Sequence, residues 1–440
     1  MAIDRGGNVA LIFAFSAIAL FGLAGGAIDF ARWLHAKNLV RAALDSAVLA
    51  GGRTLQINAT NPDLALTTAQ TYFDRMKPSD LTGNAATFAL AENSTVVRGV
   101  VNGGVNTPLL GILGFSQLPV QVAAEAVVAA GGNSESSIEV SVMLDVTGSM
   151  AGQKIEDMKA AAKDLVDIVV WSDQSQYTSK VAIAPFARRV NVGSYIASVT
   201  GLPATNGSGK KLIRCVTERE GTEQFTDAAP GAGAYVKAYA ANNNANDNSN
   251  YSNSGNCSDP SSSEMIVPLT NDKVALKSSI DALTDGGTTA GTLGTAWAWY
   301  LISPNWANVW PEASRPQPYS GLTTLGPSGR PALEKIVVLM TDGAYNTYDG
   351  GQSSLSSTTI SDRAVSLCTG MKAAGIKVYT VGFDLGSDEL AISTLKSCAS
   401  REANDPVDQP SYFYNTSTGD ELRQAFRDIA LKIATLRLRA

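Results

Sequence analysis

The sequence predicts an α/β fold, a doubly wound parallel sheet over about residues 138–440, preceded by an N-terminal helix and a small α+β unit. Three observations predict it. From Ile138 onward, short branched apolar runs alternate with amphipathic segments, the order that builds parallel strands covered by helices on both faces. The stretch Val9 to Ile28 carries no charged residue. At 440 residues the chain is also too long for one ordinary core.

The N-terminal segment, residues 1–52, reads as one long helix. At about 1.5 Å per residue, Val9 to Ile28 would extend about 30 Å, the thickness of a bilayer core. We expect a single membrane span at about 9–28, because the apolar region of a cleaved signal peptide is shorter, about 7–15 residues. Phe30, Trp33, Leu34, Val40, Leu44, Ala47 and Val48 then recur at roughly helical spacing, so the helix is expected to continue as a stalk and end near Gly51-Gly52.

Arg5 precedes the apolar run, and Arg32, Lys37 and Arg41 follow it. Read alone, the positive-inside rule leaves the C-terminal bulk in the cytoplasm. Long domains translocate despite such charges, and the cysteines and Asn/Ser-rich loops favour export. Export is therefore the expectation.

Residues 53–130 read as the small α+β unit. Pro62 to Met76 suits a helix, with Pro62 in the first turn and Asn61 as its cap. Thr87–Leu90, Val96–Val101 and Leu118–Val128 suit strands. Gly131-Gly132-Asn133-Ser134 reads as a linker.

In the α/β region, strands are expected at Ile138–Leu144, Val181–Phe186, Leu333–Met340 and Val378–Phe383. Ile155, Met158, Ala162, Leu165 and Val169 mark one helix, Ala364–Ala374 another, and Leu422, Phe426, Ile429 and Ile433 the last. Two insertions interrupt this order, at 201–265 and 303–332. Ala241 to Ser263 is nearly low-complexity, a composition that cannot fold by itself. The loop from Pro304 to Tyr319 reads as a packed surface loop, with partner contact as the rarer alternative.

Composition excludes several functions. Net charge is −6 with no long basic run, so nucleic acid is not expected as a partner. There is one histidine, His35, which removes Ser-His-Asp and Cys-His chemistry. The four cysteines, at 215, 257, 368 and 398, lack the spacing of a zinc knuckle. In an exported chain an even count points to two disulfides, the alternative being four buried thiols. Cys215 and Cys257 bracket the Asn/Ser-rich stretch. Cys368 and Cys398 fall on successive helices that right-handed crossovers can set side by side.

Three polar clusters fall where an open α/β sheet binds its ligands, at the C-terminal ends of strands. They are Asp145-Val146-Thr147-Gly148-Ser149, Gly286-Gly287-Thr288-Thr289 and Thr341-Asp342-Gly343. Two carboxylates and three hydroxyls suit a hard cation such as Mg²⁺, which takes six oxygens and keeps some of its waters. With few direct negative charges, the metal stays electrophilic enough to bind a partner's carboxylate.

These clusters resemble the von Willebrand factor A domain and its metal-ion-dependent adhesion site, with the pattern Asp-x-Ser-x-Ser, a later Thr, and a later Asp in a Thr-Asp-Gly turn. Asp145, Thr147 and Ser149 match the first part, with Thr147 keeping the hydroxyl in place of Ser. Thr288 matches the later Thr, with Thr289 as a substitute in register, and Asp342 matches the later Asp. The resemblance implies Mg²⁺, or Mn²⁺ or Ca²⁺, with Thr147 and Ser149 as direct ligands. It implies contact through water for Asp145 and Asp342. Thr288 would bind directly or through water. It also implies a protein partner offering an acidic residue.

The start of the chain resembles a second family. Arg5-Gly6-Gly7-Asn8-Val9-Ala10, the apolar run and Asp29-Phe30-Ala31-Arg32 are similar to TadG-like proteins of bacterial Flp pilus (tight adherence) assembly. That resemblance implies Flp/Tad pilus components as partners. It implies a single-pass location in the bacterial inner membrane, with the C-terminal domain in the periplasm or at the cell surface. Pilin-type sequences have a Glu five residues after the cleaved Gly; no Glu occurs between Met1 and Ala50, so prepilin processing is not expected.

Two alternatives stand beside a non-enzymatic adhesion or assembly role. Asp145-Val146-Thr147-Gly148-Ser149 is also similar to the Asp-Lys-Thr-Gly-Thr turn of haloacid-dehalogenase-like phosphotransferases, which would make Asp145 a nucleophile. Val146 and the lack of an adjacent acidic pair oppose it. The other alternative is a structural pilin-like subunit without metal-dependent binding.

Overall fold

A computed structural model describes residues 6–57, 62–83, 86–91, 96–127, 136–240 apart from 172, 249–257, 261, 263–326, 329–349, 355–433 apart from 407, and 437–439. Before Leu23, only Phe13 and Ser16 have described side chains. The expected 131–134 linker and the 241–248 tract lie outside the described residues. The chain divides into two units, Met1–Ala130 with Thr435–Ala440, and Gly131–Ala434.

The first unit opens with α1 (Gly6–Ile57), followed by α2 (Pro62–Met76). Strands β1 (Leu81–Thr82), β2 (Ala86–Ala91), β3 (Val96–Asn106) and β4 (Gln117–Val127) form an antiparallel sheet. Val40, Leu44, Ala47 and Val48 are buried against Phe73 of α2 and Val97, Val101 and Val120 of the sheet. The stalk is thus not separate from the α+β unit, because its apolar stripe is the floor of that unit's core. Phe30 and Leu34, read as part of the stripe, are exposed.

The helix also runs past Gly51-Gly52. A Cβ on Gly51 would lie 2.9 Å from both Ala65 O and Ala69 Cβ. This glycine therefore serves the close approach of α2, and an uninterrupted helix continues through it. Among the described residues no helix is long and apolar enough to cross a membrane. Most side chains of the expected 9–28 span lie outside the described residues.

The second unit carries a six-stranded mixed sheet. In chain order its main elements are β5 (Ser137–Asp145), α3 (Gln153–Val169) and β6 (Ser179–Phe186). β7 (Val190–Asn191) and α4 (Ile196–Thr200) follow, and the insertion adds β8 (Lys211–Leu212), β9 (Cys215–Thr217), β10 (Lys237–Ala238) and β11 (Tyr251–Ser252). Next come β12 (Val267–Thr270), α5 (Lys273–Asp281) and α6 (Gly291–Tyr300). The chain continues with β13 (Leu333–Thr341), α7 (Ser357–Ala373), β14 (Lys377–Phe383), α8 (Glu389–Cys398), β15 (Phe413–Thr416) and α9 (Gly419–Ile433).

Strand order is β12-β6-β5-β13-β14-β15. Five strands are parallel, and β12 pairs antiparallel with β6. The expected all-parallel sheet is corrected at this edge. β12 is short, contains Pro268 and has an irregular register, features an edge strand tolerates and a central one does not.

Helices cover both faces. Val140, Val142 and Leu144 of β5 face α3, α5 and α9, meeting Met158, Leu165, Ile280 and Phe426. Met143 faces the other way, into the layer with Leu293 and Trp297 of α6 and Leu367 and Met371 of α7. Strands buried on both sides explain their near-continuous apolar sequence.

Described residues of the first insertion pack into the fold, which its composition alone does not predict. Leu212, Val216, Val236 and Ala238 enter the α6 and α7 core, and Cys215 bridges Cys257 across a Cα–Cα distance of 5.2 Å. Cys368 of α7 bridges Cys398 of α8 across 5.0 Å. In the second insertion Trp306 and Trp310 are buried among the aromatic residues of α6, so this segment is core as much as surface loop.

The last strand, Arg437–Arg439, pairs antiparallel with β4 of the first unit, although the chain to 440 was expected in the second domain. That edge of β4 offers free ladder hydrogen bonds, and a short segment after α9 has no helix pattern to compete for it.

Candidate metal centre

β5 and β13 are adjacent and parallel, so their C-terminal ends deliver Asp145 and Thr341-Asp342 to one place. After Asp145 the chain leaves the sheet through Val146, whose N–H donates to Phe186 O at 3.0 Å. Gly148 N then donates to Gly287 O at 3.0 Å, and Gly286 N to Val146 O at 2.9 Å. These backbone bonds hold the second polar cluster beside the first.

Asp145 is fully buried. Its Oδ1 accepts from Thr147 N at 2.9 Å and Thr147 Oγ1 at 2.6 Å, and its Oδ2 from Thr341 Oγ1 at 2.6 Å. The Thr147 and Ser149 hydroxyls lie 3.1 Å apart, and Ser149 Oγ donates to Asp342 Oδ1 at 2.6 Å. Burial, then the nearby Asp342 charge, push the Asp145 carboxyl up to about 6 against the pull of its hydroxyl partners.

Four of the five expected residues, Asp145, Thr147, Ser149 and Asp342, are therefore linked side chain to side chain. Thr288 is exposed, next to the Gly287 whose carbonyl holds Gly148. It lines a polar hollow with Arg188, Asn346, Thr347 and Tyr348. Thr289, the substitute in register, is buried instead. Its N–H donates to Asn346 Oδ1 at 3.1 Å, and its carbonyl accepts from Asn346 N at 3.0 Å. Of the two threonines of this loop, Thr288 is thus the exposed one.

Two participants, Lys154 and Asp384, were not read from the sequence, and Thr341 was read only as part of the Thr341-Asp342-Gly343 turn, not as a partner of Asp145. Thr341 holds the second oxygen of Asp145. Lys154, at the start of α3, places Nζ 3.2 Å from Asp342 Oδ2 and 3.0 Å from Asp384 Oδ2. Burial opposes the Lys154 charge, but the Asp384 hydrogen bond and the Asp342 charge outweigh it and hold the ammonium above its ordinary value. Asp384 follows β14 and has φ 53, in the left-handed region that non-glycine residues rarely occupy. An Asp directly after the apolar run Val378–Phe383 was the available signal.

The donor set fits a small hard cation on one observation. Its linked oxygens are 2.6 to 3.1 Å apart, hydrogen-bonded to one another, and adjacent ligands of an octahedral Mg²⁺ at about 2.1 Å stand about 3.0 Å apart, so the ion would replace those hydrogen bonds with little movement. Asp145, Thr147, Ser149 and Asp342 would hold the ion, and it would supply an electrophilic position for a carboxylate. Among the described residues no group of three or more His, Cys, Asp or Glu side chains is arranged to hold a metal, so this set relies on hydroxyls.

Residues 7–54 match the family model described as putative Flp pilus-assembly TadE/G-like. No curated protein matches the chain. Among solved structures, the chain is similar to the von Willebrand factor domain of the type V pili tip protein Mfa5 from Porphyromonas gingivalis, at 13% identity and a TM-score of 0.38, over 68% of this chain and 96% of that one. It is similar to the pilus adhesin SpaC from Lactobacillus rhamnosus GG, at 11% identity and 0.37, over 79% and 33%. A third is the pilus adhesin RrgA from Streptococcus pneumoniae, at 12% identity and 0.35, over 82% and 51%. The chain thus spans about a third of SpaC and half of RrgA.

Proposed function

We propose that the second unit is a von Willebrand factor A-like module that binds Mg²⁺, or Mn²⁺ or Ca²⁺, and through it an acidic side chain of a protein partner. Asp145, Thr147, Ser149, Thr288 and Asp342 form the site. The chain acts at the bacterial cell envelope in Flp/Tad pilus assembly, secretion or adhesion. It is held in the inner membrane by one span at about 9–28, with the second unit exported. The TadE/G-like match over residues 7–54 supports the pilus context, and the two bridged cysteine pairs support export.

One observation carries the metal reading: the hydroxyls of Thr147 and Ser149 stand between the Asp145 and Asp342 carboxylates at the ends of neighbouring parallel strands. Asp145 does not present a nucleophile, since it is buried and both oxygens accept hydrogen bonds, which disfavours the phosphotransferase alternative. The second reading, a structural subunit without metal dependence, is favoured by Lys154, which already brings a positive charge to Asp342. The two separate by binding. Calorimetric titration with Mg²⁺ should give one site in wild type and none in Asp145→Ala; equal heats in both proteins would sink the metal reading. A phosphatase assay with an Asp145→Asn control tests the enzymatic alternative, and turnover lost in that variant would support it.

A further inference from the structure

We propose that the turn Thr107–Ser116 of the first unit is a second membrane-contacting element, whose Leu109, Ile112 and Phe115 side chains enter lipid beside the end of the α1 apolar run. The inference rests on the membrane-span reading above and is independent of the metal site.

The connection from β3 to β4 reads Thr107-Pro108-Leu109-Leu110-Gly111-Ile112-Leu113-Gly114-Phe115-Ser116 and carries no charge. Hairpin tips in water are ordinarily built from polar turn residues. Here Ile112 is 81% and Phe115 63% exposed, with Leu109 exposed beside them. None of the three belongs to the core of the first unit.

The turn is fastened to α1 at the end of the uncharged run. A Cβ on Gly25 would come within 2.9 Å of Leu109 Cβ, and one on Gly26 within 3.2 Å of Leu110 Cδ2. These two glycines admit the turn. Asp29, the first charge after the run, is buried beneath it. Its Oδ2 accepts from Leu109 N at 2.8 Å and Leu110 N at 2.7 Å. A carboxylate at the edge of a bilayer is expensive unless partnered; these donors partner Oδ2, and Oδ1, which accepts no hydrogen bond, lies 4.0 Å from Arg32.

Several backbone groups of the turn bond within it, and the Leu109 and Leu110 N–H groups bond to Asp29. Thr107 N donates to Ser116 O at 3.0 Å, Gly111 N to Thr107 O at 2.7 Å and Phe115 N to Leu110 O at 3.1 Å, while Pro108 has no N–H. Each backbone group paired in this way lowers the cost of placing the turn next to lipid. Exposed apolar surface continues from the turn onto α1 at Leu23, 75% exposed, and Ile28. On the far side stand Trp33, whose indole N–H donates to Pro119 O at 2.9 Å, and Arg32, 3.7 Å from Asp80. An aromatic and a basic residue next to an apolar surface mark a lipid–water boundary. Continuity with the Val9–Ile28 run favours lipid over a protein partner as the occupant.

The test uses the full chain in phosphatidylethanolamine–phosphatidylglycerol vesicles. All four native cysteines are bridged, so one introduced cysteine can be labelled with an environment-sensitive fluorophore. Labels go at Ile112→Cys and Phe115→Cys, with Phe13→Cys reporting the span and Asp63→Cys on α2 as the aqueous control. Spin-labelled lipids should quench the 13, 112 and 115 labels, the last two most strongly with a shallow spin label, and leave 63 unaffected. Quenching at 13 with none at 112 or 115 overturns the proposal and keeps the span. No quenching at 13 overturns the span reading, and the turn proposal with it.

Discussion

Asp342 is where the site's competing forces meet. One oxygen accepts from Ser149, and the other faces Lys154, which also reaches Asp384. The ammonium supplies charge that a divalent cation would otherwise supply. Replacing it with an uncharged chain, Lys154→Met, should tighten Mg²⁺ binding roughly fivefold, the equivalent of about 1 kcal/mol for a partly exposed ion pair. Titration calorimetry of the two proteins checks this, and unchanged affinity would remove Lys154 from the site. Glu218 makes a pH prediction. Burial raises its carboxyl to about 7, only partly offset by backbone donors such as Asp349 N. Because the folded protein holds this proton more tightly than the unfolded chain, the stabilisation is present below about pH 4.5 and is lost as pH rises through about 7, by up to about 3 kcal/mol. The difference in melting temperature between wild type and Glu218→Gln, measured from pH 4 to 8, should therefore change in that window. Parallel curves would contradict it.

Helix α6 shows how an element is positioned by what it lacks. A Cβ on Gly291 would sit 2.0 Å from the Tyr345 ring, and one on Gly294 would meet Phe186 Cγ at 2.7 Å. Gly291→Ala should destabilise the fold by about 2 kcal/mol through overpacking, read by chemical denaturation. A smaller effect than Ala298→Gly in the same helix would mean that Tyr345 moves aside freely. At the opposite ends of the strands, Lys335 of β13 donates to Glu139 of β5 and to Ile302 O at 2.8 Å, and Gln317 N donates to Glu139 Oε1 at 2.7 Å. This buried pair ties the 303–332 insertion under the sheet. Glu139→Gln leaves the ammonium unpaired and should cost about 3–5 kcal/mol, whereas Glu139→Met with Lys335→Met should cost much less. A double variant as unstable as the single one would contradict that reading. The expected strands and helices of this region were legible because each is strongly periodic or buried on both faces, whereas β12, α5 and β15 were not expected. The antiparallel course of β12 was not, since four residues carry no direction in their pattern. Lys154 and Asp384 escaped for a similar reason: a lone lysine on an amphipathic helix and a lone aspartate after a strand acquire meaning only when the sheet sets them beside Asp342.

Across the whole molecule the sequence reads as an apolar start, an α+β unit and an α/β unit, whereas the structure divides into two units with the first helix inside the α+β one, and boundaries moved where long-range pairing decided them. Arg437–Arg439 joins β4, and the Asn/Ser-rich insertion gives Leu212, Val216 and Val236 to the main core. Composition reported the insertion's polar loops and hid its few anchors. The two units keep separate cores, one around Phe73 and Leu44, the other on the two faces of the six-stranded sheet. Residues 131–434 produced alone should then unfold cooperatively and keep any Mg²⁺ response of the full chain. A piece without a cooperative transition would show that its core is incomplete.

The most direct test of the central claim is the Mg²⁺-dependent shift in melting temperature of wild type against Asp145→Ala. The site as built predicts a saturable upward shift in wild type that is absent in the variant. An equal shift in both, or none in wild type, would contradict a metal centre formed by Asp145, Thr147, Ser149, Thr288 and Asp342.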